Sequence, residues 1–141
     1  MENCIICKLV KGEFDVTKVY EDDKVMAFMD IQPINIGHVL VSPKCHCSLV
    51  TELDEEIGAH LFRVGMKIDK ALRESGIRCD GVNFFIADGR AAMQEIPHVH
   101  LHVIPRFEGD GFGFKFPKDY FEKPSRDELK KTASMIKGAL D

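Results

Sequence analysis

Apolar and polar positions recur along this chain with two different periods. Three short runs come first, Lys18 to Glu21, Val25 to Met29 and Gly37 to Ser42. Asp22-Asp23 and Gln32-Pro33 punctuate them as turns, so the runs read as β-strands. The period then lengthens. Leu53, Ile57, Leu61, Val64, Ile68 and Leu72 recur at spacings of three and four and share one helix face. Thr51 and Asp54 are candidate caps and Gly76 is a natural stop, which predicts a helix from Asp54 to Ser75. Val82 to Ala87 reads as a mostly apolar strand, and Asp88-Gly89-Arg90-Ala91-Ala92 as a loop. His98 to Ile104 alternates strictly and ends at Pro105. The stretch from Phe107 to Lys123 has no clear period. A last helix is expected from Ser125, where Ser125 and Glu128 form a capping-box pattern behind Pro124, and it should bury Leu129, Ile136 and Leu140. Short-turned strands with two segregated helices predict an α+β fold with an antiparallel sheet of about five strands.

Composition narrows the class. A chain of 141 residues, 45% apolar, suits a single domain spanning 1–141 with a sizeable core. The formal net charge of -4 argues against a sequence-independent nucleic-acid binder, which needs a basic stripe to offset phosphate charge. A small anionic ligand remains compatible, since it needs only a few local donors. No apolar run approaches the roughly 20 residues that span a bilayer, so no membrane partner is expected. Met1-Glu2-Asn3-Cys4 lacks the basic region and apolar core of a signal peptide. Five cysteines, two of them in Cys4-Ile5-Ile6-Cys7, read as reduced thiols or a metal site, and a cytoplasmic location is expected.

The chemistry concentrates in the last predicted strand. Successive side chains of a strand point to opposite faces, so His98, His100 and His102 share one face, about 7 Å apart. Val99, Leu101 and Val103 share the other, which must be buried. Imidazole is the side chain best poised near neutral pH to act as nucleophile, base or acid. A solvated face would more often carry Lys, Glu or Thr. A histidine row can also hold metal. Cys4 and Cys7 form a separate cluster, with the spacing by which two thiolates clamp one zinc. His46 and His98 are candidates for the remaining ligands, and Cys45 or Cys47 could replace His46.

His98-Val99-His100-Leu101-His102-Val103-Ile104 resembles the signature of the histidine triad family at every position. The resemblance extends upstream through Ala27-Phe28-Met29-Asp30-Ile31-Gln32-Pro33, Gly37-His38-Val39-Leu40-Val41-Ser42-Pro43-Lys44 and Gln94. It covers about residues 3 to 107 and leaves the tail from Glu108 outside. It implies a nucleotide hydrolase or transferase acting on the α-phosphate of a purine nucleoside phosphoramidate or dinucleoside polyphosphate. His100 would be the nucleophile, forming a nucleotidyl-histidine that water hydrolyses. The backbone carbonyl of His98 would fix the His100 tautomer, and His102 would donate to phosphate or leaving group. His38 would orient an imidazole from behind, and Gln94 would contact phosphate. Asp30 would bond the ribose hydroxyls, with Phe28 and Ile31 as an apolar slot for the base. Some branches of the superfamily look like this chain at the cysteines too, which implies a closed, structural zinc on Cys4, Cys7, His46 and His98. A homodimer is implied as well. The helix from Asp54 to Ser75 is one candidate interface, though its apolar face is equally explained as core. His60 beside that face reads as surface.

Three positions depart from the family pattern: Ala87 replaces an Asn, Met93 a Gly, and Glu95 a Ser or Thr. A carboxylate near phosphate repels it unless turned away. Ala87 and Glu95 favour a non-catalytic nucleotide-binding protein as an alternative to the hydrolase; a phosphorylase and a metalloenzyme using all three triad histidines stand beside it as well.

Overall fold

The structure is a computed structural model and describes residues 3–140. Two compact units divide the chain, the first through Gly111 and the second from Phe112 onward.

The first unit is built on a five-stranded antiparallel sheet in the order β1-β2-β3-β5-β4. The strands are β1 (Lys18–Glu21), β2 (Val25–Met29), β3 (Val39–Pro43), β4 (Gly81–Phe85) and β5 (Leu101–Arg106). A short helix not expected from periodicity, α1 (Ile5–Val10), precedes them; one turn and a half is too brief to show a period. The long helix α2 (Glu55–Glu74) falls where its pattern places it. Asp54 caps it, its carboxylate accepting from the backbone N–H groups of Glu56 and Ile57, while Thr51 lies in a preceding 3-10 turn. Gly76 ends it with φ of +84°.

Both faces of the sheet are covered, which explains why β2 reads as an unbroken apolar run. Val25, Ala27, Val39, Val41, Val99, Leu101 and Val103 face α2 and pack with its Leu61, Val64, Ile68 and Leu72. Met26, Phe28 and Leu40 face the other way and pack with Cys4, Ile6 and Cys7 around α1. That second face carries the histidines. The register sets Phe28 opposite Leu40, Leu40 opposite His102, and His102 opposite Phe85. One row across four strands thus leads from an apolar wall to the last triad histidine.

Two local expectations are corrected. His60 is half-buried rather than surface: its Nε2 lies 2.6 Å from Asp22 Oδ2 and ties α2 to the β1–β2 turn. In the second unit, α3 (Arg126–Ala139) has the expected Ser125–Glu128 capping box, but Leu129, Ile136 and Leu140 are 46%, 59% and 71% exposed. This unit holds one helix and an irregular aromatic segment, so no sheet within it can take the helix's apolar stripe. Its own order comes from ring contacts, among them Phe116 stacked on Tyr120 at 4.1 Å. No helix of the described residues is long and apolar enough to cross a membrane.

Candidate active site and metal centre

Pairing of β5 with its neighbours starts only at Leu101, later than the alternation suggests. The preceding backbone is claimed elsewhere. The Val99 N–H donates to the Cys47 carbonyl, and the buried Ser42 hydroxyl donates to the Val99 carbonyl. These bonds clamp the segment from which His98 and His100 project, while Val99 and Leu101 anchor it in the core.

His100 donates from Nδ1 to the carbonyl of His98 at 2.7 Å. That bond leaves the Nε2 lone pair free, the state a nucleophilic imidazole needs. A second chain of bonds fixes His102. The backbone N–H of Ile34 donates to Nδ1 of His38 at 3.1 Å, so the His38 proton sits on Nε2. From there it is donated to Nδ1 of His102 at 2.9 Å, and His102 in turn carries its own proton on Nε2. The rings of His100 and His102 lie 4.9 Å apart, which sets an acceptor beside a donor. Burial, joined by the neighbouring His100 and His38, pushes the His102 pKa down to about 4, against a small opposing pull from Asp30. Burial likewise lowers His38, with Asp30 opposing it. Both imidazoles are therefore neutral near pH 7, which keeps the chain of tautomers intact.

The other predicted residues fall around this pair in different ways. Asp30 accepts from the Gln32 N–H through Oδ1, and its Oδ2 lies 3.6 Å from His38 Nε2. Phe28 is buried at the apolar wall, whereas Ile31 is fully exposed, so the two do not form a closed slot. Gln94 accepts from the Gly89 N–H and donates to the Ser48 carbonyl, tying the Gly89–Gln94 loop to the 46–48 segment. Met93 in that loop has φ of +68°, the only positive φ at a non-glycine among the described residues. Ala87 is buried and Glu95 exposed. Sequence reasoning missed Ile34 and Ser42. Ile34 acts through a backbone N–H, which no residue type advertises, and Ser42 reads as an ordinary strand residue.

The four residues expected to hold zinc lie together. Cys4, Cys7, His46 and His98 bring four ligand atoms within 4.8 Å of one another. Cys4 Sγ and Cys7 Sγ lie 3.4 Å and 3.6 Å from His98 Nδ1, Cys7 Sγ lies 3.3 Å from His46 Nδ1, and the two Nδ1 atoms are 3.2 Å apart. Tetrahedral zinc, with bonds of about 2.3 Å to sulfur and about 2.0–2.1 Å to nitrogen, requires edges of about 3.3–3.8 Å, so the four residues fit it. His98 donates from Nε2 to the Pro43 carbonyl at 2.8 Å, which leaves Nδ1 unprotonated for a metal. Cys47 instead donates to the Glu52 carbonyl and Cys45 is exposed, so His46, rather than either cysteine, completes the group of four ligand atoms. Burial and the adjacent Cys4 raise the Cys7 pKa, and a dication would reverse that by stabilising the thiolate.

A family model described as the HIT domain matches residues 11–109. The chain belongs to the HIT (histidine triad) family. Among HIT relatives, the adenosine 5'-monophosphoramidase of Candida albicans is 34% identical over 98% of this chain and 91% of its own length. The crystal structure of a HIT family protein from Bacillus subtilis superposes with a TM-score of 0.88 at 36% identity, covering 99% of this chain and 98% of that one. A zinc-bound histidine triad protein from Mycobacterium smegmatis superposes with a TM-score of 0.76 at 37% identity, with 99% of each chain covered. The HIT domain match ends at residue 109, while the Bacillus HIT structure covers nearly the whole chain.

Proposed function

We propose that this HIT protein hydrolyses a purine nucleoside phosphoramidate through a covalent intermediate on His100. The observation that carries the reading is the pair of opposed tautomers: a lone pair on His100 Nε2 beside an N–H on His102 Nε2. The His100 lone pair attacks the α-phosphorus and forms a P–N bond to the imidazole. The bond to the leaving amine breaks, and the amine takes the His102 proton. Water then attacks the nucleotidyl-histidine, returns a proton to His102, and frees His100 and a nucleoside monophosphate. A phosphoramidate suits this donor because its leaving nitrogen must be protonated to depart. The Candida relative's named activity supports the same substrate class.

Asp30 receives the ribose hydroxyls, and Phe28 and Leu40 supply the wall under the base. Gln94 acts on phosphate through the loop it holds, since its amide oxygen is already engaged. Zinc on Cys4, Cys7, His46 and His98 is structural, tying α1 to the segment whose carbonyl orients His100. The active form is a homodimer built through β4 and α2, where Phe62, Met66 and Phe85 are 52%, 57% and 39% exposed and β4 is a sheet edge. The protein works in the cytoplasm, where cysteines stay reduced, and none of the five forms a disulfide among the described residues. Turnover of adenosine 5'-monophosphoramidate to AMP and ammonia, lost in His100→Asn while nucleotide binding persists, is the expected result. A parent protein that binds nucleotide without turnover would point instead to the non-catalytic reading, and a product carrying added phosphate to a phosphorylase.

A further inference from the structure

A cavity of about 450 Å3 opens on the first unit between the turn before β3 and the start of β4. It is lined by Ile34, Asn35, Ile36, Ile77, Arg78 and Phe107, among others. The volume falls within the roughly 300–1,000 Å3 of small-molecule sites. Ile36 is 81% exposed at its rim, an apolar side chain with no cover.

Arg78 supplies the charge. Its guanidinium lies 3.9 Å from the centroid of the Phe107 ring and makes no ion pair with any described carboxylate. A guanidinium resting on a ring keeps its edge donors for another partner, and that planar fork matches a carboxylate. The walls beside it are branched and apolar. The complementary ligand has a carboxylate head and a compact aryl or branched-alkyl body.

The cavity is wired to the histidines. Ile34, which lines it, donates the backbone N–H that sets the His38 tautomer. Asn35 accepts the His38 N–H at its carbonyl, and its side chain donates to the Pro105 carbonyl and the Asp110 carboxylate. The turn is therefore held at both ends, and a ligand pressing on Ile34 acts on the bond to His38 Nδ1. Gly37 between them allows little slack: its φ is +97°, and an added Cβ would lie 3.1 Å from both Leu72 and Ile77 side chains.

We propose that this cavity binds small amphipathic carboxylates, the head on Arg78 and the body against the isoleucines, and that occupancy is transmitted to His38 through Ile34. The site is distinct from the histidine cluster, and its test needs no turnover. Phenylacetate is titrated into the uniformly 15N-labelled full chain, with backbone amides and histidine ring nitrogens followed by NMR. Saturable shifts are expected at Ile34, Ile36, Ile77 and Phe107, together with a shift of the His38 ring nitrogens. Neutral phenylacetamide, and phenylacetate with Arg78→Gln, should each bind about fivefold more weakly, the effect of one solvent-facing ion pair. Arg78 is exposed, so the variant's unliganded spectrum should overlay the parent's and show it folded. Shifts that never saturate, equal affinity in Arg78→Gln, or shifts centred on His100 would overturn the site. Saturation with an unmoved His38 ring would overturn the transmission.

Discussion

Helix α2 crosses the sheet at Gly65, and the consequences of adding one methyl group there can be worked from the structure. An added Cβ would lie 2.8 Å from Leu101 Cδ2 and 3.2 Å from Phe84 Cε1, where carbon contacts normally settle at about 3.5–4.0 Å. Leu101 is only 3% exposed and sits between His100 and His102, so it cannot swing outward without moving the segment that carries them. Overpacking of this kind costs about 1–3 kcal/mol, against a helix-propensity gain of about 1 kcal/mol for Ala over Gly. Gly65→Ala should therefore lose about 1 kcal/mol, or about 3–5 °C in Tm. Gly58→Ala in the same helix is the internal control. Its Cβ would meet Leu53 at an ordinary 3.7 Å, so it should be neutral or more stable than the parent by up to about 1 kcal/mol. Urea unfolding of the three proteins at one pH reads the difference, about 1–2 kcal/mol between the variants. Equal stability of the two variants would refute the claim that α2 presses directly on the histidine segment.

Further outcomes follow from the same geometry. The His102 pKa falls from the usual 6.5 to about 4 on folding, so the unfolded chain binds the extra proton between these values; stability should decline as pH falls from 6.5 towards 4, and His102→Gln should flatten that slope in urea titrations. Asp22 is partly buried, which would raise its pKa, but bonds from His60, the Val25 and Lys24 N–H groups and Tyr20 outweigh burial and hold it well below the carboxylate range. Its contribution is present above about pH 4 and is lost on further acidification, and Asp22→Asn should cost about 1–3 kcal/mol at pH 7 by thermal or urea denaturation. Met93→Gly should gain about 0.5–1 kcal/mol, because the side chain is 77% exposed and its left-handed backbone favours glycine; a loss would show that the side chain has a packing role. Cys7→Ser should abolish tight zinc binding in metal analysis while His100→Ala retains it, and the reverse pattern would place the metal on the triad.

The sheet and α2 were legible because burial is periodic. Val99, Leu101 and Val103 had to face a core, and the α2 stripe had to meet them. The histidine row was legible for the same reason, seen from its other side. α1 escaped because six residues are too few to carry a period. The exposed stripe of α3 shows the limit of the rule: amphipathicity marks a face that seeks cover, without showing whether its own unit supplies it. In the site, residue types located His38, His100 and His102, but the order of protons among them depends on two backbone groups, the Ile34 N–H and the His98 carbonyl. Gln94 shows the converse: its residue type suggested a phosphate contact, yet the Gly89 N–H and the Ser48 carbonyl engage its amide.

The proposed mechanism turns on a covalent bond from His100 to phosphorus. The direct measurement is rapid acid-free quenching of the full-length protein with adenosine 5'-monophosphoramidate, followed by peptide mass mapping under conditions that preserve phosphoramidate bonds. One acid-labile adenylyl group is expected on the peptide bearing His100, located to His100 by fragmentation and absent in His100→Asn. An adenylyl group on His98 or His102, or turnover at the parent rate in His100→Asn, would contradict it.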